Sequence, residues 1–144
     1  MEDPDVPQIA QVVLDTTNPR ASAEFWRQFL GLVYRSGHEP PPPGADDPRG
    51  GDWLNLLLQS GEPCLAFQRV ANLEHSTWPE LTIPQQLHLD LTVGSIEALR
   101  NAHDCVIALG GELRFDRSDS PEEPLQVFSD VDGHPFCVFV VVDE

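Results

Sequence analysis

From Gln86 to Val93 the chain alternates polar and apolar residues without a break. A period of two marks a strand with one face on a core. Leu87, Leu89, Leu91 and Val93 would take the packed side, and Gln86, His88, Asp90 and Thr92 the other. A strand carrying four polar side chains in a row either lies outermost or lines a polar cavity. Ser95 then caps a helical pattern that runs to Leu109 and stops at Gly110-Gly111, with Ile96, Leu99, Val106 and Leu109 turned inward. Short strands follow over Glu112 to Asp116, Leu125 to Ser129 and Phe136 to Val142. An acidic loop, Arg117 to Pro124, and a turn, Asp130 to Gly133, separate them.

The first half reads in the same order. Ile9 to Leu14 predicts a strand. Asn18-Pro19 supplies a helix cap and a proline at the first helical position, and Gly31 ends the helix. Phe25, Trp26, Phe29 and Leu30 share one helix face, and Trp26 belongs to the core. Leu32 to Ser36, Trp53 to Gln59 and Cys64 to Val70 predict three more strands, the last two joined by the turn Ser60-Gly61-Glu62. Pro40 to Pro43 and Pro48 make Gly37 to Gly51 a loop of polyproline character, read as an insertion at a hairpin tip. Asn72 to Pro84 holds two prolines and little periodicity, which predicts a linker carrying Trp78.

The order strand, helix, strand, strand, strand therefore occurs twice, and residues echo between the copies. Gly61-Glu62-Pro63 before Ala66-Phe67 answers Gly133-His134-Pro135 before Val138-Phe139. An internal repeat of this kind sets the fold. The expected class is α+β: two tandem βαβββ modules forming a half-open, mostly antiparallel β-cup with helices outside. The 144 residues would make a single domain, with module one over 9–70, a linker over 71–85 and module two over 86–142.

Composition narrows the partners. The formal net charge of −16 repels phosphate backbones and anionic lipid surfaces, so no nucleic acid and no membrane are expected. Cys64, Cys105 and Cys137 are odd in number and lack metal-ligand spacing. With an acidic Met1 to Pro7 that resembles no secretory signal, they predict a reduced, cytoplasmic setting.

Candidate chemistry collects on the polar strand faces. His88 and Asp90 stand two apart, roughly 7 Å along one face, so Asp90 would orient His88 as an acid or base, or both would simply bond neighbouring strands. Gln11 and Asp15 share a face with Val13. Gln68 and Arg69 are adjacent, so only one points inward. Trp53 would stack on a flat ligand or pack a strand end. Cys137 would be a nucleophile or, more plainly, a small buried side chain. Asp130-Val131-Asp132-Gly133 lacks the downstream ligands of a calcium loop and reads as a hairpin turn. His38, His75, His103 and His134 are expected at the surface.

Several stretches together resemble the superfamily of glyoxalases, bleomycin resistance proteins and extradiol dioxygenases, the vicinal oxygen chelate fold, in its bacterial glyoxalase-like branch. They are Leu14-Asp15 with Asn18-Pro19-Arg20, Phe25-Trp26 with Leu30-Gly31, and Leu65 to Val70. His88-Leu89-Asp90-Leu91, Ala108 to Gly111 and Asp130 to Phe136 complete them. The resemblance implies a homodimer and a small-molecule ligand held in the cup by Gln11, Asp15, Trp53, Phe67, Gln68, His88, Asp90 and Cys137. It also implies a divalent metal with one ligand from each of four strands. Two of those positions fall on Gln11 and His88. The two acidic ones, four residues past Gly61 and Gly133, fall on Leu65 and Cys137. Neither is a carboxylate, so the expectation is no cofactor, with Gln11 and His88 as the ligands if a metal binds. The alternative is a lyase, isomerase or dioxygenase, with a metal there or with His88 as a metal-free acid–base catalyst.

Overall fold

The computed structural model describes residues 3–141. The chain divides into two compact units, the first ending at Ala71 and the second beginning at Asn72. In the first, β1 (Val12–Thr16), β2 (Val33–Tyr34), β3 (Trp53–Leu57) and β4 (Pro63–Arg69) form a sheet of order β1-β4-β3-β2, with α1 (Pro19–Leu30) between β1 and β2. In the second, β5 (Leu89–Val93), β6 (Glu112–Arg117), β7 (Leu125–Ser129) and β8 (Pro135–Val140) take the order β5-β8-β7-β6, with α2 (Ile96–Ala108) after β5. The repeat and the α+β class are therefore as the sequence predicts. Each sheet is mixed: β1 runs parallel to β4 and β5 parallel to β8, and the remaining described pairings are antiparallel.

The helices form where their caps put them. Asn18 Oδ1 accepts the Ala21 amide at 3.2 Å, and Ser95 Oγ accepts the Ala98 amide at 3.0 Å. Gly31 closes α1 at φ 66°, a left-handed conformation that glycine adopts without strain. Phe25 and Trp26 are buried edge to face at 5.2 Å, and Leu14, Leu54, Leu56, Leu65 and Phe67 complete the first core. In α2 only Leu99 and Val106 are fully inside; Ile96 and Leu109 are half-buried.

Strand ends shift by a residue or two in most places, and two strand starts shift by three. β1 starts at Val12 rather than Ile9, which is 91% exposed, and runs on to Thr16. The Cα register with β4 begins at Val12 opposite Leu65 and ends at Thr16 opposite Arg69. β5 starts at Leu89, where its parallel partner β8 offers Phe136. Leu87, expected on the packed side, is 56% exposed. Alternating polarity continues upstream of Leu89, but the ladder does not. Val142 lies outside the described residues.

The proline-rich loop is tied to α1. Arg20 grips Asp47 with two nitrogens, at 2.8 and 3.0 Å, and donates to the His38 carbonyl at 2.7 Å. Asp47 Oδ1 also accepts the Gly50 amide, and a Cβ on Gly50 would collide with that carboxylate. Residues Arg49–Gly51 form a short 3-10 turn. His38, expected at the surface, is 7% exposed because its Nδ1 accepts the β3 amide of Asn55 at 2.9 Å. The turn before β8 is locked in a similar way: Asp130 Oδ1 accepts the amides of Asp132 and His134, both at 2.9 Å. No helix among the described residues is long and apolar enough to cross a membrane.

Burial and the nearby guanidinium of Arg49 hold the His38 pKa below the ordinary imidazole value of 6.5. The unfolded chain therefore binds the proton first. The stability that neutral His38 contributes is complete above about pH 6.5 and is lost as pH falls through the lowered folded value. Urea midpoints measured from pH 8 to pH 5 will fall on the acid side, and His38→Gln will flatten that limb.

Candidate functional site

Parallel pairing of β5 with β8 sets Asp90 directly opposite Cys137, and Val127 of β7 flanks Cys137 on its other side. Paired residues of adjacent strands share a face, so Asp90, Cys137 and Val127 form one row across the second sheet. His88, just before β5, joins that row: its Nε2 lies 3.1 Å from Asp90 Oδ1. The ligating atoms of His88, Asp90 and Cys137 all lie within 4.8 Å of one another.

The imidazole is held on three sides. Its Nδ1 lies 3.0 Å from Gln85 Oε1, and Trp78 stacks on the ring at 4.8 Å with planes 15° apart. Trp78 is positioned by a closed loop. The Thr77 amide donates to the Ile83 carbonyl, the Ile83 amide donates to Thr77 Oγ1, and Ser76 Oγ donates to the same carbonyl. This segment, expected as a linker whose Trp78 would cap the cup mouth, instead sets that indole against the His88 ring.

Asp90 is the pivot. It faces the imidazole on one side and the Cys137 thiol on the other. Burial, then the Asp90 charge, push the Cys137 thiol up to about 11. The thiol is therefore protonated at neutral pH and is a hydrogen-bond donor rather than a nucleophile. Asp90 keeps 57% of its side chain exposed, so the carboxylate stays open on its outer side.

The first unit carries a second polar row. Asp15, Gln68 and Trp53 stand side by side across β1, β4 and β3, two residues along from Val13, Ala66 and Asn55. Gln11 Oε1 accepts from Asn55 Nδ2 at 3.0 Å, and Asn55 Oδ1 accepts the Trp53 indole N–H. Of the adjacent pair, Gln68 joins this face, while Arg69 turns away and donates to the Thr17 carbonyl at 3.1 Å. Phe67 lies opposite Leu14 and Leu54 and is fully buried, a core side chain. Asn55, 4% exposed, was not among the expected residues. The signal was present: a lone amide in the apolar run Trp53-Leu54-Asn55-Leu56-Leu57.

Counting from the hairpin glycines holds in one module only. A register shift between Leu56 and Leu57 places Leu65 on the core face, opposite Val12 and Leu56. Ala66 therefore stands beside Val13 as Cys137 stands beside Asp90. The donors that do converge are one imidazole, one carboxylate and one thiol. That set fits a thiol-favouring divalent ion, which needs at least three protein ligands, provided the Cys137 proton is displaced.

A family model described as a glyoxalase-like domain matches residues 11–139. No curated protein matches the chain. Among solved structures, a glyoxalase/bleomycin resistance protein/dioxygenase family enzyme from Burkholderia phytofirmans PsJN is 16% identical with a TM-score of 0.65, covering 92% of this chain and 98% of that one. A glyoxalase/dioxygenase from Nostoc punctiforme is 18% identical with a TM-score of 0.64, covering 99% and 97%. A mutant of the fosfomycin resistance protein FosX from Listeria monocytogenes, complexed with Mn(II) and 1S,2S-dihydroxypropylphosphonic acid, is 14% identical with a TM-score of 0.64, covering 94% and 92%. At these identities the likeness is one of fold.

Raising a thiol from 9.0 to about 11 lowers its thiolate fraction near neutral pH about 100-fold. In chelator-treated protein, iodoacetamide labelling of Cys137 followed by peptide mass spectrometry will therefore lag an unfolded control by that order. Asp90→Asn will speed it, because the opposing charge is gone. Equal rates with and without the carboxylate would show that the two groups do not interact.

Proposed function

The chain belongs to the glyoxalase-like family, and on that premise we propose that it binds a small organic molecule on the sheet face carrying His88, Asp90 and Cys137, without the family's full metal set. The supporting observation is that His88 is already held by groups of its own chain. Gln85 and Asp90 lie at its two nitrogens and Trp78 covers one ring face. Such an imidazole is a fixed recognition group. The open side of Asp90 accepts a ligand donor, and Val127 and Cys137 in the same row, with exposed Phe115 opposite Val127 on β6, supply an apolar floor. A few oriented polar anchors on an apolar surface are what small-molecule recognition requires.

One observation favours a second reading, the convergence of three potential ligand atoms within 4.8 Å. His88, Asp90 and Cys137 would then hold a divalent ion, which would act as a Lewis acid toward a substrate oxygen. Under that reading His88 must turn from Asp90 and Cys137 must lose its proton.

Elemental analysis of protein purified without chelator separates the two. The proposal expects less than stoichiometric metal. A full equivalent of zinc or manganese, lost in both His88→Ala and Cys137→Ser, would establish the metal site instead. In the metal-free case, a thermal-shift screen of metabolites and aromatic antibiotics will give stabilising compounds whose effect disappears in His88→Ala and in Asp90→Asn. Compounds that stabilise both variants as well as the parent would place binding elsewhere and sink the proposal.

A further inference from the structure

At the edge of the first sheet the ring of His38 takes the place of a strand neighbour. The Arg35 amide donates to the Asn55 carbonyl at 3.1 Å, as a continuing β2 would. The Asn55 amide, however, donates to His38 Nδ1 at 2.9 Å. A backbone N–H can only donate, so Nδ1 carries no proton. The single proton of the neutral ring is therefore on Nε2, and a flipped ring would lose the Asn55 bond.

That Nε2–H faces Arg49 Nη1 at 3.5 Å. A guanidinium has donors and no acceptor, so two donors are aimed at one another and neither satisfies the other. His38 is 7% exposed, and an N–H held away from water without an acceptor is costly. Burial, then the charges of Arg49, Arg35 and Arg20, hold the ring neutral, with Glu39 opposing. Arg20 is engaged by Asp47, and Glu39 accepts the Gly37 amide at 2.8 Å. Among the described residues, neither Arg35 nor Arg49 has a carboxylate within ion-pair distance. The chain sets 8 cationic side chains against 24 acidic ones, so two unanswered arginines beside a buried N–H reverse its charge locally.

We propose that His38 Nε2, Arg49 and Arg35 form a site for a small oxyanion, free or as the charged end of an organic molecule. One oxygen between Nε2 and Arg49 Nη1 accepts from both and turns a donor–donor contact into two charge-assisted bonds. Arg49 is exposed, which leaves the position reachable from solvent. A cation would meet two guanidiniums there, and a neutral acceptor would leave their charge unmatched. The overall negative charge does not forbid the site, because at about 0.15 M salt charges beyond about 8 Å are screened.

Nitrogen-15 NMR of the histidine side chains tests it at about pH 7.5, with ionic strength held by sodium chloride. Before any addition, His38 is expected with Nε2 protonated and Nδ1 bare. Inorganic phosphate will move the His38 Nε2 signal along a saturable curve. Arg49→Gln will weaken that binding roughly tenfold, the loss of one bond to a charged group, and Arg35→Gln will weaken it less. Arg117→Gln removes the same charge from β6 and will leave the curve unchanged. Phenyl phosphate binding more tightly than phosphate would assign the site to an organic ligand, and equal binding to the free anion. All three arginines are exposed, and amide spectra check that the variants fold. The proposal is overturned if Nδ1 carries the proton, or if the signal follows chloride as it follows phosphate. It is also overturned if Arg49→Gln binds as the parent does, or if Arg117→Gln weakens binding as much.

Discussion

Pairing the first strand of each module in parallel with its last is the constraint on which the site depends. Two parallel strands joined by a long crossover lie side by side at one edge of the sheet, and their register is fixed along their whole length. That register makes Asp90 the neighbour of Cys137, although 47 positions separate them in the chain. A slip of one residue would turn Asp90 into the core and Leu89 or Leu91 outward. Half-burial of Leu89, Leu91 and Val93 on the face away from Asp90 therefore helps hold the polar row in place.

Among the described residues, most buried polar side chains have a local answer. His38 accepts from Asn55, Asn55 bridges Gln11 and Trp53, and Asp130 closes its own turn. These bonds rigidify the strands that carry the candidate contacts, because a satisfied buried network resists rearrangement. Ser22 Oγ breaks the pattern in the first unit and Gln126 Oε1 in the second. The position of Gln126 on the helix-side face, beside Asp116 of β6, gives the second sheet two chemically different faces: a thiol, imidazole and carboxylate on one, an amide and a second carboxylate on the other.

The helix caps, the repeat, the hairpin turns and the core aromatics were legible in the sequence, because each follows from local chemistry or short-range periodicity. Asn18, Ser95 and Gly31 act as their residue types dictate. The association of His88 with Asp90 was legible for the same reason, since residues two apart on an extended chain share a face. Ile9 and Leu87 were not: their apolar character fits a strand, but the ladder beside them had already ended.

The sequence by itself thus determined two βαβββ copies, the family, and a polar strand bearing His88 and Asp90. Tertiary structure alone decided that Cys137 joins them, that Trp78 and Gln85 clamp the imidazole, that Asn55 and His38 are interior, and that Gln126 is left without a donor. The physical reason is range. Caps, turns and alternation are set by neighbours along the chain. Which side chains meet across strands is set by register, and register is settled only when both sheets bury their apolar faces.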